Sequence, residues 1–138
     1  MIELHNDKKH INQHNMNYTQ QERIEFSESM KARTKKFALD VLKLYQSMPK
    51  RGEYLIIGNQ LLRAATSLAS NYRAACRARS KAEFFSKMSI VVEEADESLF
   101  WLEVLYEGNL MPEEKLLPLI KEATELTSIM ASARKNIY

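Results

Sequence analysis

Four stretches of this chain place apolar residues at repeating three- and four-residue steps, and each stretch ends in residues that interrupt a helix. An α-helix turns once every ~3.6 residues, so such steps line up on one face. Helices with one apolar face must bury it against one another, which restricts the chain to a helical bundle.

The first stretch covers about 28–48, with Ser27 as its expected N-cap, and its stripe is Met30, Phe37, Val41, Leu44 and Met48. Pro49-Lys50-Arg51-Gly52 breaks it. The second covers about 53–77 and carries Tyr54, Ile57, Leu61, Ala65, Leu68, Tyr72 and Ala75. Ser80-Lys81-Ala82-Glu83 then reads as a capping box, in which the hydroxyl takes a free backbone N–H and the carboxylate reaches back. The third stretch runs to about 107 on Phe84, Met88, Val92, Ala95, Leu99, Leu102 and Tyr106. Gly108-Asn109 is a stop signal, and Pro112 suits a helix first turn. Leu116, Leu119, Ile120, Ala123, Leu126, Met130 and Ala133 mark the fourth. Short connections make neighbours antiparallel, so the expected fold is an all-α, up-down-up-down four-helix bundle over 27–138. Residues 1–26, polar and without a sustained period, read as a flexible N-terminal arm.

Charge is unevenly spread. From residue 50 to 81 seven cations (Lys50, Arg51, Arg63, Arg73, Arg77, Arg79, Lys81) face one carboxylate, Glu53, while from 82 to 107 seven carboxylates face one cation, Lys87. Arg63, Arg73 and Arg77 fall opposite the Leu61/Leu68 stripe, and Lys31 and Lys35 lie away from the Phe37/Leu44 stripe. A row of guanidinium groups can grip phosphates, each binding two oxygens. The commoner role for such a row is a solvated face paired with acidic neighbours. A second apolar set, Ile90, Phe100, Trp101 and Val104 on the third stretch with Leu39 and Leu42 on the first, projects away from the inner stripes. One stripe is enough for a monomeric bundle, so these residues point to contact with another copy or a partner.

Catalytic and metal chemistry find little support. All three histidines, His5, His10 and His14, precede the helices, which removes the inward Glu-x-x-His pairs of di-metal bundles. Glu93, Glu94, Asp96 and Glu97 spread around their helix, as a solvated face with a salt-bridge role does. Cys76, the single cysteine, has no histidine near it in sequence and reads as a half-buried inert thiol. With no internal disulfide, no apolar run approaching the ~20 residues of a membrane span and no apolar signal core, the expected location is cytoplasmic. No cofactor, no metal and no enzymatic activity are expected. Gln60, Ser67 and Asn71, along one edge of the second stripe, read as residues that fix helix register.

Gln60-Leu61-Leu62-Arg63-Ala64-Ala65-Thr66-Ser67, then Asn71, Arg79-Ser80, Glu83-Phe84, Glu94-Ala95 and Glu97-Ser98 ahead of Leu102 form an ordered set. Over about 28–136 this set resembles the small bacterial four-helix bundle proteins first recognised in intervening sequences of 23S ribosomal RNA genes. The chain departs from that family's commonest pattern after Asn71, reading Tyr72-Arg73-Ala74-Ala75-Cys76-Arg77 where an Ile-Ala-Glu-Gly-like run is frequent. The resemblance implies a homo-oligomer, typically a pentameric ring. It also implies relatives that serve the reverse transcriptase of diversity-generating retroelements and bind nucleic acid through a basic surface. The expectation is therefore a non-enzymatic oligomer binding RNA, or an RNA–protein complex, through Arg63, Arg73, Arg77 and Arg79 with Lys31, Lys35, Lys50 and Arg51. The alternative is a protein–protein adaptor, or scaffold, that binds no nucleic acid.

Overall fold

Thr19 caps the first helix with a full capping box: its hydroxyl accepts the Glu22 N–H at 3.1 Å and the Glu22 carboxylate accepts the Thr19 N–H at 3.2 Å. The computed structural model describes residues 19–136. Within them the chain forms α1 (Gln20–Ser47), α2 (Gly52–Ala75), α3 (Lys81–Glu107) and α4 (Glu113–Asn136). The connections, 48–51, 76–80 and 108–112, are short enough to force antiparallel neighbours, and α1 packs on α4 to close the four-helix bundle.

The start of α1 differs from the expected N-cap at Ser27. That side chain lies inside the helix and donates to the Ile24 carbonyl at 3.1 Å. The cap at Thr19 holds a first turn whose residues are exposed, with Ile24 48% accessible, so burial contributes little to the extension. Of the arm expected over 1–26, residues 1–18, including His5, His10 and His14, lie outside the described residues, and 20–26 are helical.

At the other junctions local chemistry acts as the spacing predicts, with one shift. Ser80 caps α3 by accepting the Glu83 N–H at 3.0 Å, but Glu83 reaches the Arg79 N–H at 3.5 Å rather than that of Ser80. Gly108-Asn109 ends α3 as a Schellman turn. Leu110 N–H bonds the Leu105 carbonyl, Asn109 N–H bonds that of Tyr106, and Asn109 rather than Gly108 takes the left-handed backbone, at φ 55°.

The stripes of α1, α2 and α4 are the expected ones, except that Tyr54 and Ile120 are only half-buried. In α3 the expected Phe84, Met88, Ala95 and Leu102 are buried, but Val91, Ser98 and Leu105 take the places expected of Val92, Leu99 and Tyr106, of which the first two are half-buried and the third is 39% exposed. Ser98 looks polar in sequence, yet a small residue fits where helices close on one another, and its hydroxyl bonds the Glu94 carbonyl at 2.8 Å. Thr34, the other buried polar side chain, bonds the Met30 carbonyl at 2.8 Å in the same way. Asn71 donates to the Ser67 carbonyl at 2.9 Å and Gln60 accepts from Arg63 at 3.4 Å, so these bonds lie within α2 and set no register between helices.

Among the described residues, two arginines tie neighbouring helices by ion pairs. Arg33 of α1 donates to Glu122 at 3.1 Å and to Glu125 at 2.7 Å on α4. Arg63 of α2 pairs with Glu94 at 3.3 Å and with Glu97 on α3.

Candidate functional site

The eight cations proposed from the sequence as phosphate contacts are spread over different parts of the bundle. Arg63 is half-exposed but bonded to two carboxylates of its own bundle, so the pairing foreseen for the row occurs within the chain at this position. Lys31 pairs with Glu28 at 2.6 Å. Lys50 folds back over the Tyr45 ring, 3.4 Å from its centroid, and donates to the Tyr45 carbonyl at 2.6 Å. Arg51 is exposed beside it, at the end of the bundle opposite Arg77, roughly 35–40 Å away along α2 at ~1.5 Å per residue. Lys35 is exposed on α1, in the middle of the bundle's length.

The remaining three gather. Arg73 lies in the last turn of α2 and Arg77 and Arg79 in the turn that follows, and all are exposed. Among the described residues none of their side chains meets a carboxylate, and Lys81 at the start of α3 is likewise exposed and unpaired. Four cations within nine residues, at one end of the bundle, are thus free to face an anion. Only the sign and position of these residues were needed to find them.

The six apolar residues divide between two places. Leu39, 51% exposed, and half-buried Leu42 meet Leu62 of α2 in a groove of about 480 Å³, edged by Lys35 and Arg63. On α3, Phe100 is 52% exposed and stands edge-on to Trp101 at 4.9 Å between ring centroids. Trp101 and Val104 are only partly exposed and pack on the core, and Ile90 is half-buried. The Trp101 indole N–H donates to Glu97 at 3.3 Å, the same carboxylate that holds Arg63. Arg63 hydrogen-bonding keeps Glu97 below the usual carboxylate range, and the Trp101 bond adds to it. Ile56, Phe85 and Leu117, exposed at 66%, 53% and 42%, were not expected, because their stripes break the regular spacing.

Cys76 is half-buried, and a hydrogen bond from the Tyr72 hydroxyl would favour its thiolate. Burial pushes the thiol up and outweighs that bond and the Lys31 charge, which is opposite to what a nucleophile needs. Among the described residues no group of three His, Cys, Asp or Glu is placed to hold a metal, and no helix is long and apolar enough to cross a membrane.

Fold and surface together define a closed all-α bundle with one cation-rich end and a separate apolar groove. A family model, the 23S rRNA-intervening sequence protein, matches residues 28–132, and the chain belongs to that family. A crystal structure of a protein of unknown function from the S23 ribosomal protein family of Bacteroides thetaiotaomicron VPI-5482 is similar. It is 30% identical, with a TM-score of 0.71, over 76% of this chain and 97% of that one. No curated protein matches.

Proposed function

We propose that this chain is a non-enzymatic, cytoplasmic, self-associating bundle that binds RNA through Arg73, Arg77, Arg79 and Lys81. The observation that supports the reading is the contrast among the cations. Arg63, Lys31, Lys50 and Arg33 are engaged within the chain, whereas these four are exposed without a carboxylate partner among the described residues. The family's name, taken from ribosomal RNA, agrees in the kind of partner. A reverse-transcriptase-like partner, and the pentamer as the particular assembly, rest on the resemblance alone.

Four phosphate contacts on a single strand would lower affinity roughly 10²- to 10³-fold for a tenfold rise in salt, at ~0.7 of a log unit per contact. Self-association multiplies the contacts, because each copy repeats the cluster. Protein purified at low salt should carry nucleic acid that nuclease removes, read from its absorbance ratio and native mass. Arg73→Glu with Arg77→Glu should abolish binding and leave the native mass unchanged. Equal binding in about 50 mM and about 500 mM salt would sink the phosphate reading.

The exposed pair Leu39 and Phe100 favours a second reading, a protein adaptor whose apolar surface takes a partner. In that case the same charge reversals weaken the assembly itself, and the purified protein carries no nucleic acid.

A further inference from the structure

The first turns of α1 overhang the ends of α2, α3 and α4 and leave a cleft of about 830 Å³, a size that suits a small organic group. Its walls hold Arg23 and Lys81, and no carboxylate is among the described residues that line it, although the Glu28 charge reaches Tyr72 and Cys76 from beside it. Neither cation is paired with a carboxylate among the described residues. Its inner surface is aromatic: Phe26 is half-buried, and Tyr72 and Phe84 present the little of themselves that the core leaves uncovered. Gln20 brings a side-chain amide, able both to donate and to accept.

The turn between two lining residues, Cys76 and Lys81, carries Arg77 and Arg79. The cleft therefore opens beside the cation cluster already described. A positive rim around an aromatic interior with an amide fits one chemistry well, a phosphate attached to a flat heteroaromatic ring. A fatty acid would satisfy the interior but not the amide, and a bare phosphate would satisfy the rim alone.

We infer that the cleft receives one unpaired nucleotide, its base against Phe26 and Tyr72 and its phosphate between Arg23 and Lys81. In a strand, the neighbouring phosphates then run over Arg77 and Arg79. The inference rests on the RNA reading and specifies it: the protein binds single-stranded or looped RNA, with one base out of the stack. The same chemistry could come from a free nucleotide, and the test separates the two sources.

Cys76 lines the cleft and is the chain's only cysteine, so its alkylation by an uncharged maleimide reports occupancy at one place. The probes are a short oligouridylate, uridine monophosphate and inorganic phosphate, added to the full chain. Binding of the strand is followed separately by fluorescence anisotropy. At ligand about ten times Kd, the oligonucleotide should slow alkylation about tenfold, since only the free fraction reacts. Inorganic phosphate should leave the rate unchanged.

Arg23→Glu and Lys81→Glu, both at exposed positions, should abolish the protection while circular dichroism stays unchanged. If the strand binds but alkylation is not slowed, the cleft assignment is overturned and the RNA reading stands. Protection by uridine monophosphate without strand binding overturns both the RNA reading and the proposal as stated, leaving a site for free nucleotide. With neither binding nor protection, both fall.

Discussion

Glu97 joins two side chains, accepting from Arg63 across the helix interface and from Trp101 one turn along its own helix. Its pKa is lowered, so the stabilisation it gives is present above the unfolded value, ~4.3, and is lost as pH falls through the folded one. Both partners are partly exposed, at 50% and 32%, so the stability involved is a fraction of a kcal/mol. Trp101 is the only tryptophan, and its emission should titrate on the acid side of the ordinary carboxylate range. Arg63→Ala should move that midpoint upward, and an unmoved midpoint would mean the pair does not form in solution. The raised Cys76 thiol gives a second residue-scale expectation: without ligand its alkylation should climb only above the ordinary thiol value, ~8.5. A rate already at its plateau near neutrality would contradict the burial. The cation cluster was legible in the sequence because Arg73 and Arg77 sit opposite an apolar stripe. That Arg63 is engaged was not, because its partners lie 31 and 34 residues away on another helix. The retreat of Lys50 onto Tyr45 was equally hidden, since it depends on how the chain turns after α1.

At the scale of the helix, three of the four stripes were legible because apolar spacing alone decides which face is buried. In α3 the reading was one residue out at three positions, because apolar residues stand at both 91 and 92 and because Ser98 competes poorly with Leu99 on hydrophobicity. Packing decided there, and packing is not visible in one helix. The start of α1 was missed for the opposite reason: a cap, not burial, sets it, and Thr19-x-x-Glu22 lies in a polar run. Thr19→Ala should therefore fray the first turns by about 1 kcal/mol without global unfolding, seen as faster amide exchange over 20–25. Pro118 stands inside α4, where its nitrogen cannot donate to the carbonyl four residues back. Its side chain is exposed, so Pro118→Ala should stabilise the protein by about 1–3 kcal/mol in a thermal melt. Leu68→Ala, at a fully buried position, should cost about 2–5 kcal/mol. A smaller loss there would mean that the bundle core relaxes around the missing methyls.

For the molecule as a whole, charge suggests which surfaces would meet in the self-association proposed above. The Leu39, Leu42 and Leu62 groove is edged by the cations Lys35 and Arg63. Phe100, in turn, stands on the outer side of α3 among the exposed carboxylates Glu93, Asp96 and Glu103. An apolar knob in an acidic setting complements an apolar groove that carries the exposed cation Lys35 at its edge, so one copy's Phe100 can seat in the next copy's groove. Such a head-to-tail contact uses two different patches and closes into a ring when the rotation between copies divides a full turn. Phe100→Glu and Leu39→Glu, at positions already half in solvent, should each leave helicity intact and break the assembly. Native mass should fall from a multiple of 16.1 kDa to that value. Mixing the two variants decides the geometry. In a head-to-tail contact each retains one sound patch, so together they form a capped dimer and nothing larger. If the mixture stays monomeric, the contact pairs like with like, and the ring arrangement is wrong even though the residues are right.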